Sequence, residues 1–121
     1  MLRKRDREMN GASRLITYVD IDDTLVRSFG QKRVPITEMI KHVRDLFNAG
    51  VTLYAWSSGG GEYARTTSVE LGLEDCFQGF LPKPNVIIDD QSVAEWRRLI
   101  QIHPTTASTK TADDYAVALN F

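Results

Sequence analysis

Two carboxylates stand two positions apart in the stretch Asp20-Ile21-Asp22-Asp23-Thr24-Leu25. Neighbouring carboxylates repel, and each gains from a nearby cation or proton. Such a pair could supply a nucleophile, a proton carrier or a metal ligand. It could also be a plain turn where a strand ends. Three further polar features follow along the chain: Ser57-Ser58, Lys83 and Asp89-Asp90. Taken singly, each has an ordinary explanation. Serine after a strand commonly caps a helix, a lysine between two prolines is commonly solvated, and Asp-Asp commonly marks a turn. Four such features in one order, at the ends of core segments, are harder to explain as punctuation.

The hydrophobic pattern indicates the elements that must position them. Leu15 to Val19 is a short apolar run that reads as a buried strand ending at Asp20. Residues 25–35 contain Gly30 and Pro35 and read as a loop or small hairpin flap, with the cations Arg27, Lys32 and Arg33. Ile36, Met39, Ile40, Val43, Leu46 and Phe47 share one helical face, with Gly50 as the stop. His42 lies beside that stripe and is expected to be partly exposed. Val51 to Trp56 reads as a second buried strand, so the strand–helix–strand unit predicts parallel pairing with a right-handed crossover. A second helix is expected over residues 62–71, closed by Gly72 with Leu73 as its hydrophobic contact.

Phe77 to Leu81 reads as a short edge strand. Val86 to Ile88 predicts a third buried strand ending at Asp89-Asp90. A short helix around 92–98, with Trp96 packed inward, and a strand around 99–102 would complete the core. Residues 1–13 read as a flexible arm, 14–104 as the folded domain and 105–121 as a tail, with a loose linker over 105–112 and a helical turn or two after it. The fold class expected is α/β, a three-layer α/β/α Rossmann-like parallel sheet. Ligands of such sheets bind at the carboxyl ends of the strands.

Composition bounds the function. A chain of 121 residues is one small domain. Its 15 basic and 16 acidic residues give a net charge of -1, so no global basic field points to nucleic acid. A lone cysteine, Cys76, excludes an internal disulfide framework and reads as a structural thiol. No apolar run reaches membrane-spanning length, and the charged N-terminus lacks the apolar core of a secretory signal. The chain therefore reads as soluble and cytoplasmic, with no membrane partner.

The set Asp20-Ile21-Asp22-Asp23-Thr24, Ser57, Lys83 and Asp89-Asp90 resembles the motifs of the haloacid dehalogenase superfamily of aspartate-nucleophile phosphotransferases, over residues 14–104. The resemblance implies an Mg²⁺-dependent phosphomonoesterase. Asp20 would attack phosphorus to form an aspartyl-phosphate. Asp22 would protonate the leaving oxygen and then deprotonate the hydrolytic water. Mg²⁺ would be held by Asp20, by the backbone carbonyl of Asp22, and by Asp90 and Asp89, one of them directly. Ser57 or Ser58 would hydrogen-bond the phosphoryl group, Lys83 would neutralise it, and Thr24 would brace the motif loop. Dehalogenases of the family lack an acid at the position of Asp22, so phosphoryl transfer is favoured.

The gaps after the first motif and after Lys83 leave no room for a cap domain. Capless members of the family often act on macromolecules or bulky substrates, so the resemblance implies a bulky or macromolecular phosphorylated substrate. Two other readings stay open. One is a nucleotide or nucleic-acid-end phosphatase guided by Arg27, Lys32 and Arg33. The other is a non-catalytic metal- or phosphate-binding regulatory module. A monomer or weak dimer is expected. An EF-hand reading of the first motif fails, because Leu25 occupies the glycine position and Gln31 the closing glutamate position. Gly59 to Gly61 read as a simple connector in preference to a phosphate cradle.

Overall fold

The structure, a computed structural model, describes residues 11–121. The expected flexible arm lies outside the described residues as far as residue 10. Gly11–Arg14, by contrast, forms a 3-10 turn with Ala12 buried. A Cβ added at Gly11 would lie 2.9 Å from the Cβ of Ala116. The fold therefore begins before residue 14, at a close approach that only glycine permits.

Nine elements of regular structure follow the turn. They are β1 (Ile16–Asp20), β2 (Val26–Phe29), β3 (Lys32–Pro35), α1 (Thr37–Asn48), β4 (Thr52–Ser57), α2 (Gly61–Glu70), β5 (Phe77–Pro82), α3 (Pro104–Ala107) and α4 (Ala112–Ala118). The domain is mixed α/β. Its main sheet is parallel, in the order β1-β4-β5, with Tyr18 opposite Tyr54 and Ala55 opposite Phe80. The flap is a separate antiparallel hairpin of β2 and β3.

Both helices between the sheet strands end in the same motif. Gly50 and Gly72 adopt positive φ of 99° and 71°. Val51 N–H then donates to Leu46 O, and Leu73 N–H donates to Ser68 O. These are Schellman caps, which satisfy orphan carbonyls and turn the chain directly toward the next core residue. Leu73 is fully buried, the contact expected from its place after Gly72.

The two crossovers step along the sheet in the same direction. Right-handed connections then place α1 and α2 on one face. Burial along β4 agrees: Leu53, Ala55 and Ser57 are buried, whereas Thr52, Tyr54 and Trp56 are half-buried. The other face carries an aromatic row, with Tyr18 tilted against Tyr54 at 5.3 Å and edge-on to Trp56 at 5.0 Å. Ile16 and Tyr18 on that face are exposed. Among the described residues the sheet thus has one helical layer, not two.

The missing layer is explained by residues 85–102. The expected third buried strand is absent: Val86, Ile87 and Ile88 are 75%, 56% and 96% exposed and belong to no sheet. Chain reach gives the reason. Pro82 ends β5 at the same end of the sheet as Asp20, so a further parallel strand would have to start at the opposite end. The four residues from Pro82 to Val86 reach about 14 Å at most, and a six-residue strand alone is about 20 Å long. The expected helix over 92–98 is reduced to a 3-10 turn at Val93–Glu95, and residues 99–102 form no strand. Trp96 is 40% exposed, so it does not pack inward as expected.

The C-terminal tail takes up part of the core instead. The expected loose linker over 105–112 is α3 followed by a turn into α4, which starts with a capping box between Thr111 and Asp114. Ala107, Ala112, Tyr115 and Ala116 are buried. His42, expected at the surface, is buried as well, and its Nε2 lies 2.8 Å from Tyr115 Oη. The phenol donates to Ala107 O at 3.1 Å, so its single proton is committed and His42 Nε2–H is the donor toward it. Burial lowers the His42 pKa and pushes that of Tyr115 up to about 12. Both stay neutral inside the core. Cys76 is buried too, and burial raises its pKa, which suits an inert structural thiol.

Candidate active site

The loop after β1 is built by its apolar members. Ile21 and Leu25 are both fully buried. Ile21 O accepts hydrogen bonds from the N–H groups of Thr24, Leu25 and Val26. This tight turn needs one residue in the left-handed region, and Asp23 supplies it with φ of 61°. Asp23 N–H closes the turn on Val26 O at 2.7 Å. With the apolar residues held down, Asp20 and Asp22 are left facing outward at the carboxyl end of the sheet. Asp23 is loop structure, not part of the site.

Asp20 is held at both oxygens. Lys83 Nζ lies 3.0 Å from Oδ1, and Thr24 Oγ1 donates to Oδ2 at 3.1 Å. The Asp20 and Lys83 side chains are each about one-third exposed, at 33% and 34%. Lys83 arrives there because its backbone N–H donates to Ser57 O at 2.9 Å, which ties the exit of β5 to that of β4. Its ammonium also lies 5.8 Å from the centre of the Trp56 ring. Three strand ends therefore converge on one carboxylate.

Ser57 and Ser58 differ sharply. Ser57 is buried, and its Oγ accepts from Gly59 N–H at 3.0 Å. No described group accepts from its hydroxyl proton. Ser58 is exposed. The three glycines that follow connect β4 to α2 under backbone constraint. Gly60 has φ of 105°, a region closed to other residues without strain. A Cβ at Gly61 would lie 2.8 Å from Phe80 O, and one at Gly59 would lie 3.1 Å from the ring of Tyr63.

Asp22 has a partner that sequence reasoning missed. Tyr63 Oη donates to Asp22 Oδ1 at 2.7 Å. Arg33 of the flap reaches the same phenol at 3.1 Å through Nη2, and continues to Thr67 Oγ1 at 2.9 Å and Glu70 Oε2 at 3.1 Å. Tyr63 lies in the first turn of a helix of weak amphipathicity, and no pattern at its own position marks it. Of the three flap cations, Arg33 is thus committed to α2. Arg27 instead lines a groove of about 470 Å³ between the flap, the start of α1 and α3, together with Phe29, Glu38 and His103.

Asp89 and Asp90 do not join this group. They are exposed, and Asp89 Oδ1 accepts from Gln91 N–H at 2.8 Å. Among the described residues no three His, Cys, Asp or Glu side chains converge closely enough to hold a metal ion. The Asp22 carbonyl takes part in neither hydrogen bond of the Asp22–Val26 bridge, and it and the Asp20 carboxylate are oxygen donors of the type that Mg²⁺ takes. Two oxygens on one loop are a partial set. They suit an ion that keeps several waters and takes further oxygens from a bound phosphate.

No family model matches the chain, and neither does any curated protein or solved structure. No described helix is long and apolar enough to cross a membrane.

Proposed function

We propose that this chain is a phosphomonoesterase of the haloacid dehalogenase type, with Asp20 as nucleophile. The observation that carries the reading is the 3.0 Å contact between Lys83 Nζ and Asp20 Oδ1, joining residues 63 positions apart at the carboxyl end of the sheet. A lysine beside a carboxylate is also a common structural pair. Here the pair is one-third exposed, on a turn whose buried residues expose Asp20 and Asp22, and its lysine is tied through the backbone to Ser57 O.

The chemistry follows from these positions. An Asp20 oxygen attacks phosphorus, and the bond from phosphorus to the leaving oxygen breaks. Asp22, protonated, gives its proton to that oxygen. Lys83 and Ser57 take up charge on the non-bridging oxygens of the phosphoryl group. A water then attacks the aspartyl-phosphate, passing a proton to the Asp22 carboxylate as the bond to Asp20 breaks. Inorganic phosphate leaves, and both aspartates return to their starting states. The Asp20 carboxylate and the Asp22 carbonyl would hold Mg²⁺, which would supply neutralisation between two anions that otherwise repel.

Neither the 25–36 gap nor the 83–89 gap holds more than a hairpin or short loop, so the site is open to a bulky phosphorylated substrate. The test is hydrolysis of an aryl phosphate, of phosphorylated peptides and of 5′- and 3′-phosphorylated oligonucleotides, each with Mg²⁺ and with chelator. Turnover that requires Mg²⁺ and disappears in Asp20→Asn supports the assignment. Full activity in Asp20→Asn would remove Asp20 as nucleophile. Binding of Mg²⁺ and phosphate without turnover on any of these substrates would make the chain a regulatory module instead.

A further inference from the structure

Asp22 is proposed to move a proton twice, so its orientation should be fixed by something. The chain Arg33–Tyr63–Asp22 does this. Tyr63 donates to Oδ1 at 2.7 Å, and among the described residues Oδ2 has no partner. A carboxylate oxygen accepts, so the phenol O–H is the donor of this pair. Its direction is set from the other side, because Arg33 Nη2 donates to the same Oη and uses its accepting side. The ring is also clamped. The Arg33 guanidinium lies 5.3 Å from its centre, and a Cβ at Gly59 would press on the ring at 3.1 Å. Arg33 itself is anchored by Thr67 and Glu70 on α2. The flap is thereby tied to the proton carrier through two side chains that touch neither Asp20 nor Lys83.

We propose that Tyr63 is a positioning residue that holds Asp22 for proton delivery, with Arg33 fixing Tyr63, and that this latch suits the site to alkyl phosphate monoesters. The reason is leaving-group chemistry. A nitrophenolate departs readily without a proton, whereas an alkoxide needs one as the bond breaks. A site that keeps its acid in a fixed orientation gains most on alkyl esters. The inference rests on the phosphatase reading.

The test compares kcat/KM on p-nitrophenyl phosphate with that on an alkyl ester such as glycerol 2-phosphate. The proteins are wild type, Tyr63→Phe, Arg33→Met and Asp22→Asn, each first checked for an unchanged urea midpoint. Loss of a general acid costs about 10²–10⁴-fold. Tyr63→Phe should lower the alkyl-to-aryl ratio by about 10- to 100-fold, part of the Asp22→Asn effect. Arg33→Met should shift the ratio in the same direction by less, and Arg33→Lys should restore part of it. An unchanged ratio in Tyr63→Phe, whether through equal losses on both esters or no loss on either, would overturn the positioning role while leaving the phosphatase reading intact. If wild type turns over neither small ester, the same ratio is read on phosphoserine and phosphotyrosine peptides, and inactivity on these and on phosphorylated oligonucleotides as well would sink the phosphatase reading, and this inference with it.

Discussion

Tyr115→Phe isolates how the C-terminal helix is held. The substitution removes one oxygen and leaves the ring in place, so little packing changes. That oxygen serves two buried groups, His42 Nε2 at 2.8 Å and Ala107 O at 3.1 Å. Water has little access to either partner once the hydroxyl is gone. An unsatisfied buried polar group costs about 1–3 kcal/mol. Two of them, with partial relaxation, cost about 2–4 kcal/mol. A chain of this size has a total stability of roughly 6–18 kcal/mol. With a urea slope of about 2 kcal/mol per molar, the midpoint should fall by about 1–2 M at unchanged slope. Urea unfolding followed by tryptophan fluorescence measures it. His42→Ala and the double variant complete a cycle, in which the two groups should couple by about 0.5–3 kcal/mol. A midpoint shift below about 0.3 M, or independent effects of the two substitutions, would refute a docked α4 and return residues 105–112 to the loose linker expected from sequence.

Other consequences can be measured as directly. His42 is kept neutral by burial, which lowers its pKa despite Asp45 nearby; Lys41 adds to the lowering. The unfolded chain therefore binds a proton below about pH 6.5 that the folded chain refuses. Stability should fall as pH drops below that value, by up to about 1.4 kcal/mol per pH unit from this group, and His42→Gln should flatten the slope. Lys83→Met should leave the fold intact and lower kcat on an aryl phosphate by about 10²-fold, and undiminished turnover would remove Lys83 from the chemistry. Gly60→Ala forces a side chain into the positive φ that the loop before α2 requires, and should cost about 1–2 kcal/mol in urea unfolding.

Local signals were legible in the sequence, and tertiary assembly was less so. The strands β1, β4 and β5, the flap hairpin and both long helices follow from apolar periodicity and from glycines at helix ends. Asp20, Thr24 and Lys83 come together as their positions at strand exits implied. Val86 to Ile88 has the composition of a buried strand, and composition was the only guide. The few residues between Pro82 and Val86 already ruled out a parallel return, so that error was avoidable by distance arithmetic. The helix after residue 112 was legible, but the docking of residues 105–112 was not, for another reason. Residues 105–112 are small and polar and carry no stripe, and their burial depends on a partner, His42, 73 residues from Tyr115. Tyr63 was invisible because its role comes from the flap folding against α2.

Val86 to Ile88 lies exposed in the same chain as β1, whose outer edge pairs with nothing among the described residues. Short β-branched runs and open strand edges are the two halves of intermolecular strand pairing. The run is stopped on one side by Pro84 and on the other by Asp89 and Asp90. A proline and charges flanking such a run oppose strand pairing between copies. Neutralising Asp89 and Asp90 to probe metal binding would therefore also lengthen the sticky segment. A loss of activity in such variants has to be read beside their light scattering, because aggregated protein would imitate a missing ligand.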